Sequence, residues 1–158
     1  MEISKKFRKR LWLLGNIKRA TKNTDELLKC YCSFLRPILD FCSNVYHPMI
    51  NITLATVLEK LQLSALKIIL GYRLSSDELL EKAELTTLQE RRETLFRSFC
   101  MKTHNNARFR DQWTEEKTFT DYNLRKQNII KEHHSRTERL YNSPLFALRR
   151  KLNDILAV

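Results

Sequence analysis

Cysteine and histidine are the first side chains to test for chemistry in this sequence, because both can ligate metal ions. Cys30, Cys32, Cys42 and His47 follow one another at a spacing that matches no zinc finger or zinc knuckle. Two residues apart on a helix, Cys30 and Cys32 point about 200° away from each other and cannot share a metal ion. We therefore interpret these three cysteines as buried, small apolar side chains, and we expect all four cysteines, Cys100 included, to be reduced thiols. We expect no metal site and no cofactor.

Carboxylates and nucleophiles give no catalytic signature either. The aspartates never occur as adjacent pairs, whereas two-metal phosphoryl transfer requires clustered carboxylates. No histidine begins a His-x-Asp or His-x-Glu pair, which a 2-His-1-carboxylate iron site would use. Cys100 and His104 are four residues apart, but no third group accompanies them. We therefore predict that the chain is not an enzyme.

Basic side chains are the remaining candidates. The chain has 158 residues and a formal charge of +11, divided as +7 over 1–37 (10 basic, 3 acidic), −1 over 38–100 (7 and 8) and +5 over 101–158 (12 and 7). Two basic ends around a near-neutral middle favour contact with a polyanion such as nucleic acid, although a solvated surface would carry the same charge. The candidate nucleic-acid contacts are Lys5, Lys6, Arg8, Lys9, Arg10, Lys18, Arg19, Arg36, Arg136 and Arg139.

Each basic cluster has an ordinary alternative. Between residues 5 and 12, Phe7 and Trp12 interleave with the cations, so a helix here could lie along phosphates while its aromatic rings stack or pack. A solvated helix face with Phe7 buried, or a nuclear-localisation signal, would use the same residues. Near the C-terminus, Arg136 and Arg139 could bind phosphate, but Glu132 and Glu138 are close enough in sequence to neutralise them instead.

Hydrophobic spacing predicts an all-α protein, a compact bundle of about five helices over residues 1–104. Two glycines and three prolines are too few for a β-sandwich or barrel. Ser75 with Glu78 and Thr87 with Glu90 match the capping box that begins a helix. The first predicted helix runs from Ile3 to Ala20, and the second begins at a Thr24 N-cap and has a kink or break at Pro37. After a break around 44–53, the third runs from a Thr53 N-cap to Gly71. The last two cover 76–84 and 88–104.

The last third of the sequence differs in character. Residues 105–142 hold isolated aromatic rings among charged and amide side chains, which predicts a basic, irregular tail with at most a short helix around 124–132. Residues 143–158 predict a final amphipathic helix with Pro144 in its first turn. No signal peptide or membrane-length apolar segment is present, so we expect a soluble, intracellular protein with no membrane partner, in the nucleus or the cytoplasm.

The order of several segments resembles the C-terminal region of non-LTR (LINE, jockey-type) retrotransposon reverse transcriptases. The resemblance covers nearly the whole chain, from RKRLWLLGNIKRA to RTERLYNSPLFALRRKLND. The residues that carry it are Tyr31, Arg36, Pro37, Tyr46, His47, Ile68 to Gly71, Leu88, Glu90, Arg91, Arg92, Arg136, Glu138 and Arg139.

This resemblance implies a helical thumb that follows the polymerase palm. The family's palm carries an aromatic-x-Asp-Asp motif, which this sequence lacks, so the implied role is holding an RNA/DNA template-primer without sequence specificity. The implied partners are that duplex or another nucleic acid, and the palm domain. Two alternatives stay open: a protein-interaction module that self-associates or docks another helix, and a retrotransposon remnant with no selected function.

Overall fold

The computed structural model describes residues 2–21, 23–112, 130, 132 and 134–156, and no strand occurs among them. The all-α prediction is therefore confirmed, with more helices than the five expected. The elements are α1 (Glu2–Ala20), α2 (Thr24–Cys30), a π-helical segment (Tyr31–Leu35), α3 (Arg36–Asp40), α4 (Ser43–Tyr46), a 3₁₀ turn (His47–Met49), α5 (Ile52–Leu70), α6 (Ser76–Lys82), α7 (Leu88–His104), a 3₁₀ segment (Ala107–Gln112), α8 (Glu138–Tyr141) and α9 (Pro144–Leu156).

Contacts group the chain into two units. The first comprises Met1–Ser43 and Ile50–Arg92, and the second comprises Asn44–Met49 and Glu93–Val158. The border therefore falls within α7. The division at residues 104 and 142, which we drew from composition, stays a prediction.

Helix α1 begins the first unit and buries one narrow face. Phe7 and Leu14 are fully buried, seven residues and two turns apart, as an apolar stripe along one helix face requires. The helix packs against α5, α3, α2 and the π-helical segment. Helix α5, which α1 contacts, is itself largely apolar, and its buried residues include Leu58, Ala65 and Leu66. Burial of this face leaves the basic side chains of α1 on the remaining surface.

Pro37 produces a widened turn rather than a break. Tyr31–Leu35 is π-helical, and the backbone N–H of Arg36 donates to the carbonyl of Tyr31, five residues earlier. Proline cannot donate a backbone hydrogen bond, and its ring clashes with the carbonyl four residues before it. A widened turn relieves that clash, so the helix continues as α3 with Pro37 in its first turn.

Two predicted N-caps are wrong by one or two positions. Asn23, not Thr24, caps α2 by accepting from the N–H of Asp25, and Asn51, not Thr53, caps α5 by accepting from the N–H of Leu54. An asparagine stands one or two residues before each predicted threonine and caps at least as well. The predicted break around 44–53 contains α4 and a 3₁₀ turn before this cap.

The other helix ends agree with prediction. Both arms of the capping box formed by Ser75 and Glu78 are present at α6. At α7 the backbone N–H of Thr87 donates to the Glu90 carboxylate at 3.3 Å, and the backbone N–H of Glu90 donates to the Thr87 hydroxyl at 3.2 Å. Gly71 ends α5 with a φ of 117°, which glycine adopts without strain.

The buried face of α7 differs from the predicted one. The sequence spacing predicts that Leu88, Arg92, Leu95 and Phe99 share one face of this helix, but Phe96 and Cys100 are buried in place of the last two. The buried residues of α7 are spaced four apart throughout: Leu88, Arg92, Phe96 and Cys100. Because an α-helix has 3.6 residues per turn, this buried stripe winds slowly around the helix, whereas alternating intervals of three and four residues would keep it on one side. Phe96 and Cys100 join the apolar cluster of the second unit with Leu148 and Leu152.

Among its described residues, the tail contributes Ile130 to that cluster. Ile130 is buried beside Leu148, and its backbone N–H and carbonyl both bond to the side-chain amide of Asn153, at 2.8 and 3.0 Å. At this point the predicted irregular tail is anchored to the final helix. The amphipathic helix predicted over 143–158 is present as α9, whereas the short helix suggested around 124–132 lies almost entirely outside the described residues.

Removal of a buried side chain from α1 should destabilise the first unit, and an exposed neighbouring residue supplies a matched control. Leu14 is fully buried whereas Leu13 is 51% exposed. We expect Leu14→Ala to lower the free energy of unfolding by about 2–5 kcal/mol through lost burial and the cavity left behind, and Leu13→Ala to change it by less than about 0.5 kcal/mol. Urea unfolding followed by circular dichroism measures both. Equal effects would contradict the orientation of α1.

Candidate nucleic-acid interface

The side of α1 opposite its buried face presents cations around one aromatic ring. Lys5, Arg8 and Lys9 are exposed, and Trp12 is 71% exposed. At about 100° per residue, all four fall within roughly a third of the helix circumference. We call these four residues the outer face of α1.

The cations of the outer face make no ion pair with any carboxylate that the structure describes. Within the described part of the chain, Lys5, Arg8 and Lys9 have no carboxylate within salt-bridge distance. Their charge is therefore available to an external anion.

Lys6 and Arg10 lie beside the outer face and already have contacts. The ammonium group of Lys6 is 3.6 Å from the carboxylate of Glu2, one turn earlier, and both side chains are solvent-exposed. An exposed pair of this kind contributes little and exchanges readily. Arg10 donates through Nη1 to the carbonyl of Phe34 at 3.1 Å. Both groups keep their charge at the surface, so they extend the positive field of the outer face.

Lys18 has a structural contact at the end of α1. Its ammonium group donates to the carbonyl of Ile68, which is one of the last four carbonyls of α5 and has no partner within that helix. Cations are favoured at helix C-termini because the helix dipole is negative there. Lys18 therefore holds α1 against the end of α5, and its charge is partly offset.

Arg19 and Arg36 differ in exposure. Arg19 is exposed, and its guanidinium donates to the side chain of Asn16 on the same helix. Arg36 is half-buried near Tyr31, whose hydroxyl donates to Gln62 at 3.1 Å. Burial raises the pKa of Tyr31 well above its ordinary value, and the positive charge of Arg36 opposes that shift. Arg36 thus acts on an internal polar cluster, whereas Arg19 faces solvent.

Arg136 and Arg139 lie in the second unit, at the start of α8, and both are exposed. Glu132, which we considered as a neutralising partner, instead accepts from the side-chain amide of Asn153 at 2.9 Å. The ten candidate residues are therefore divided between the two units.

A groove beside the outer face was missed by sequence reasoning. It has a volume of about 540 Å³ and is lined by Trp12, Gly15 and Arg19 of α1 together with Ile68 and Tyr72, which come from the end of α5 and the residue after Gly71. Tyr72 is 75% exposed. A tyrosine that follows a helix-ending glycine is typical of a loop. The sequence pattern therefore gave no indication that Tyr72 lies near Trp12.

Nucleophile and metal chemistry find little support in the described residues. Cys100 is buried, which raises the pKa of its thiol to about 11 and keeps it protonated at neutral pH. Cys30 and Cys32 are half-buried and Cys42 is exposed, so the expectation of a buried cysteine is wrong for Cys42. Over the described ranges, no group of three or more His, Cys, Asp or Glu side chains could hold a metal ion.

Among the helices that the structure describes, none combines the length and the apolar composition needed to cross a bilayer. No protein-family model matches the chain, and searches of curated proteins and of solved structures returned no match. The site is therefore interpreted from its own geometry.

Lys18 and Lys5 should respond differently to loss of charge. Lys18→Met removes the bond to the end of α5, so we expect the free energy of unfolding to fall by about 1 kcal/mol. Lys5→Met removes an exposed charge and should change it by less than about 0.5 kcal/mol. Thermal or urea unfolding measures the difference. Equal stability of the two variants would contradict the structural role of Lys18.

Proposed function

We propose that this chain is a thumb-like module that binds nucleic acid without sequence specificity, and that its ligand is an RNA/DNA template-primer duplex. The observation that carries the proposal is the outer face of α1, where Lys5, Arg8 and Lys9 surround Trp12 and have no internal ion pair among the described residues. The resemblance to the post-palm region of non-LTR reverse transcriptases supplies the choice of duplex.

The geometry suits contact with phosphates rather than with base edges. From Lys5 to Arg19 the helix rises about 21 Å, enough to follow several consecutive phosphates of one strand. Lysine and arginine side chains on an exposed helix can contact phosphate oxygens whatever the nucleotide sequence. Such contacts position a protein on the strand without recognising the bases. Binding of this kind is strong at low salt and weakens as counterions compete.

The module would hold a substrate without acting on it. The sequence lacks the aspartate pair of the palm, and Cys100 is held as a neutral thiol. We therefore expect the purified chain to bind a template-primer and to incorporate no nucleotides. Nucleotide incorporation by the chain would overturn this part of the proposal.

Neutralisation of the outer face should weaken binding and flatten its salt dependence. With about six phosphate contacts, affinity for an RNA/DNA duplex should fall about a thousandfold between 50 and 200 mM salt. The triple substitution Lys5→Gln, Arg8→Gln and Lys9→Gln should make the slope of log affinity against log salt shallower by about 2 to 3. Fluorescence anisotropy with a labelled duplex measures both.

A charge-matched variant separates this face from net charge. Lys29, Lys60 and Lys82 are also exposed residues of the first unit, so changing all three to Gln removes the same charge from other surfaces. We expect this control to keep most of the salt slope. If the two triple variants lose affinity equally, or if the wild-type chain binds with no salt dependence, the proposed interface is wrong.

An exposed apolar groove favours a second function, self-association. The groove has a volume of about 530 Å³. Its apolar lining consists of Ile3 of α1 with Phe34, Pro37, Ile38 and Phe41, and the remaining lining residues are Glu2, Lys6, Arg10 and Ser33. Phe34 is 64% exposed and Phe41 68% exposed. An apolar patch is complementary to itself, and a two-fold dimer uses the same patch on both subunits. We therefore propose a second copy of the chain as the occupant.

Sedimentation over a range of concentrations tests the dimer. The double variant Phe34→Ser and Phe41→Ser should remain monomeric at concentrations where the wild-type chain dimerises, with no nucleic acid present. Tyr72→Ser is the control, because Tyr72 is an equally exposed aromatic residue outside this groove. A wild-type chain that stays monomeric at all concentrations would contradict self-association.

A further inference from the structure

Two strongly exposed aromatic rings lie on the same groove of the first unit. Trp12 is 71% exposed and Tyr72 is 75% exposed, although they are separated by the whole of α5 in sequence. A large aromatic side chain that stays exposed to solvent does not gain the hydrophobic free energy that burial in a core would provide. Two of them on one groove therefore suggest a ligand with a flat, stackable surface.

Gly15 lines the same groove and leaves space beside the helix. A methyl group built at Gly15 would meet no atom within 4 Å, so no packing within the protein requires glycine there. Glycine within a helix costs about 1 kcal/mol relative to alanine. A glycine that the protein's own packing does not need leaves the backbone accessible to an approaching ligand.

The charge at the groove indicates an anionic ligand. Arg19 lies on its lining and is exposed, and its guanidinium is oriented by the side chain of Asn16. Lys18 also lines the groove. Beyond them, the outer face of α1 continues the positive surface past Trp12. A flat ring attached to phosphates matches this combination of aromatic and basic groups.

We propose that the groove between Trp12 and Tyr72 takes an unpaired nucleobase of a single strand, with its phosphates on Arg19 and the outer face of α1. This inference rests on the proposed function and deepens it. A base within a duplex is already stacked on both faces, whereas an unpaired base gains stacking energy on exposed aromatic rings, whatever its identity. The groove therefore favours a single-stranded template segment over the duplex itself.

Removal of the Tyr72 ring tests the subsite. Stacking contributes enough that Tyr72→Ala should weaken binding of a single-stranded oligonucleotide, such as ten uridines, by about 5- to 150-fold. Affinity for a blunt RNA/DNA duplex should change less than twofold. Tyr72→Phe keeps the ring and should keep the affinity. Phe109→Ala removes another exposed aromatic residue, outside the groove, and should have no effect.

A second variant fills the groove without touching a ring or a charge. Gly15→Leu places a side chain in the open space beside the helix, so single-strand affinity should fall while duplex affinity is maintained. The emission of Trp12 reports occupancy directly, in a chain where the other tryptophan, Trp113, is replaced by phenylalanine. We expect the single strand to quench this emission and Gly15→Leu to abolish the quenching.

The outcomes separate the two proposals. If Tyr72→Ala and Gly15→Leu bind the single strand like the wild type while the triple variant of the outer face loses affinity, the base subsite is wrong and the proposed function stands. If the wild-type chain binds neither single strand nor duplex, both are wrong. Binding of a proline-rich peptide in the groove without any quenching by oligonucleotide would also overturn the subsite, because such peptides dock on aromatic-lined grooves as well.

Discussion

Burial of Phe7 and Leu14 is the constraint on which the rest of the first unit depends. Both side chains are fully buried against neighbouring helices, and together they determine which face of α1 packs against the core. Once that direction is settled, helix geometry places Lys5, Arg8, Lys9 and the neighbouring Trp12 in solvent. The packing of two apolar residues therefore produces the positive surface, and no basic side chain needs a partner of its own to be held there.

Polar groups inside the first unit position the helices that support α1. The carboxylate of Glu59, on α5, accepts from the backbone N–H groups of Leu88 and Gln89 at 3.1 and 2.8 Å, which satisfies two donors at the start of α7. Gln62, one turn later, accepts from Tyr31 and donates to the carbonyl of Thr86. Helix α5 thus supplies both the apolar surface for α1 and the polar anchors for its other neighbours.

The sequence predicted best what depends on neighbouring residues alone. The stripe of α1, the capping box at Ser75 and the glycine end of α5 follow from local spacing, and all are present. The buried face of α7, the internal contact of Lys18 and the groove at Tyr72 depend on which elements pack together. Charge patterning treats every lysine and arginine alike, so it cannot separate those that cap helices from those that face solvent.

The central claim is that the outer face of α1 binds nucleic acid through its phosphates. Amide chemical-shift mapping of the labelled chain, titrated with an RNA/DNA duplex at low salt, tests it most directly. We predict shifts concentrated over residues 5–12 and around residue 19, and their reversal when the salt concentration is raised to 0.5 M. Shifts concentrated in the second unit, or an unchanged spectrum at saturating duplex, would contradict the account.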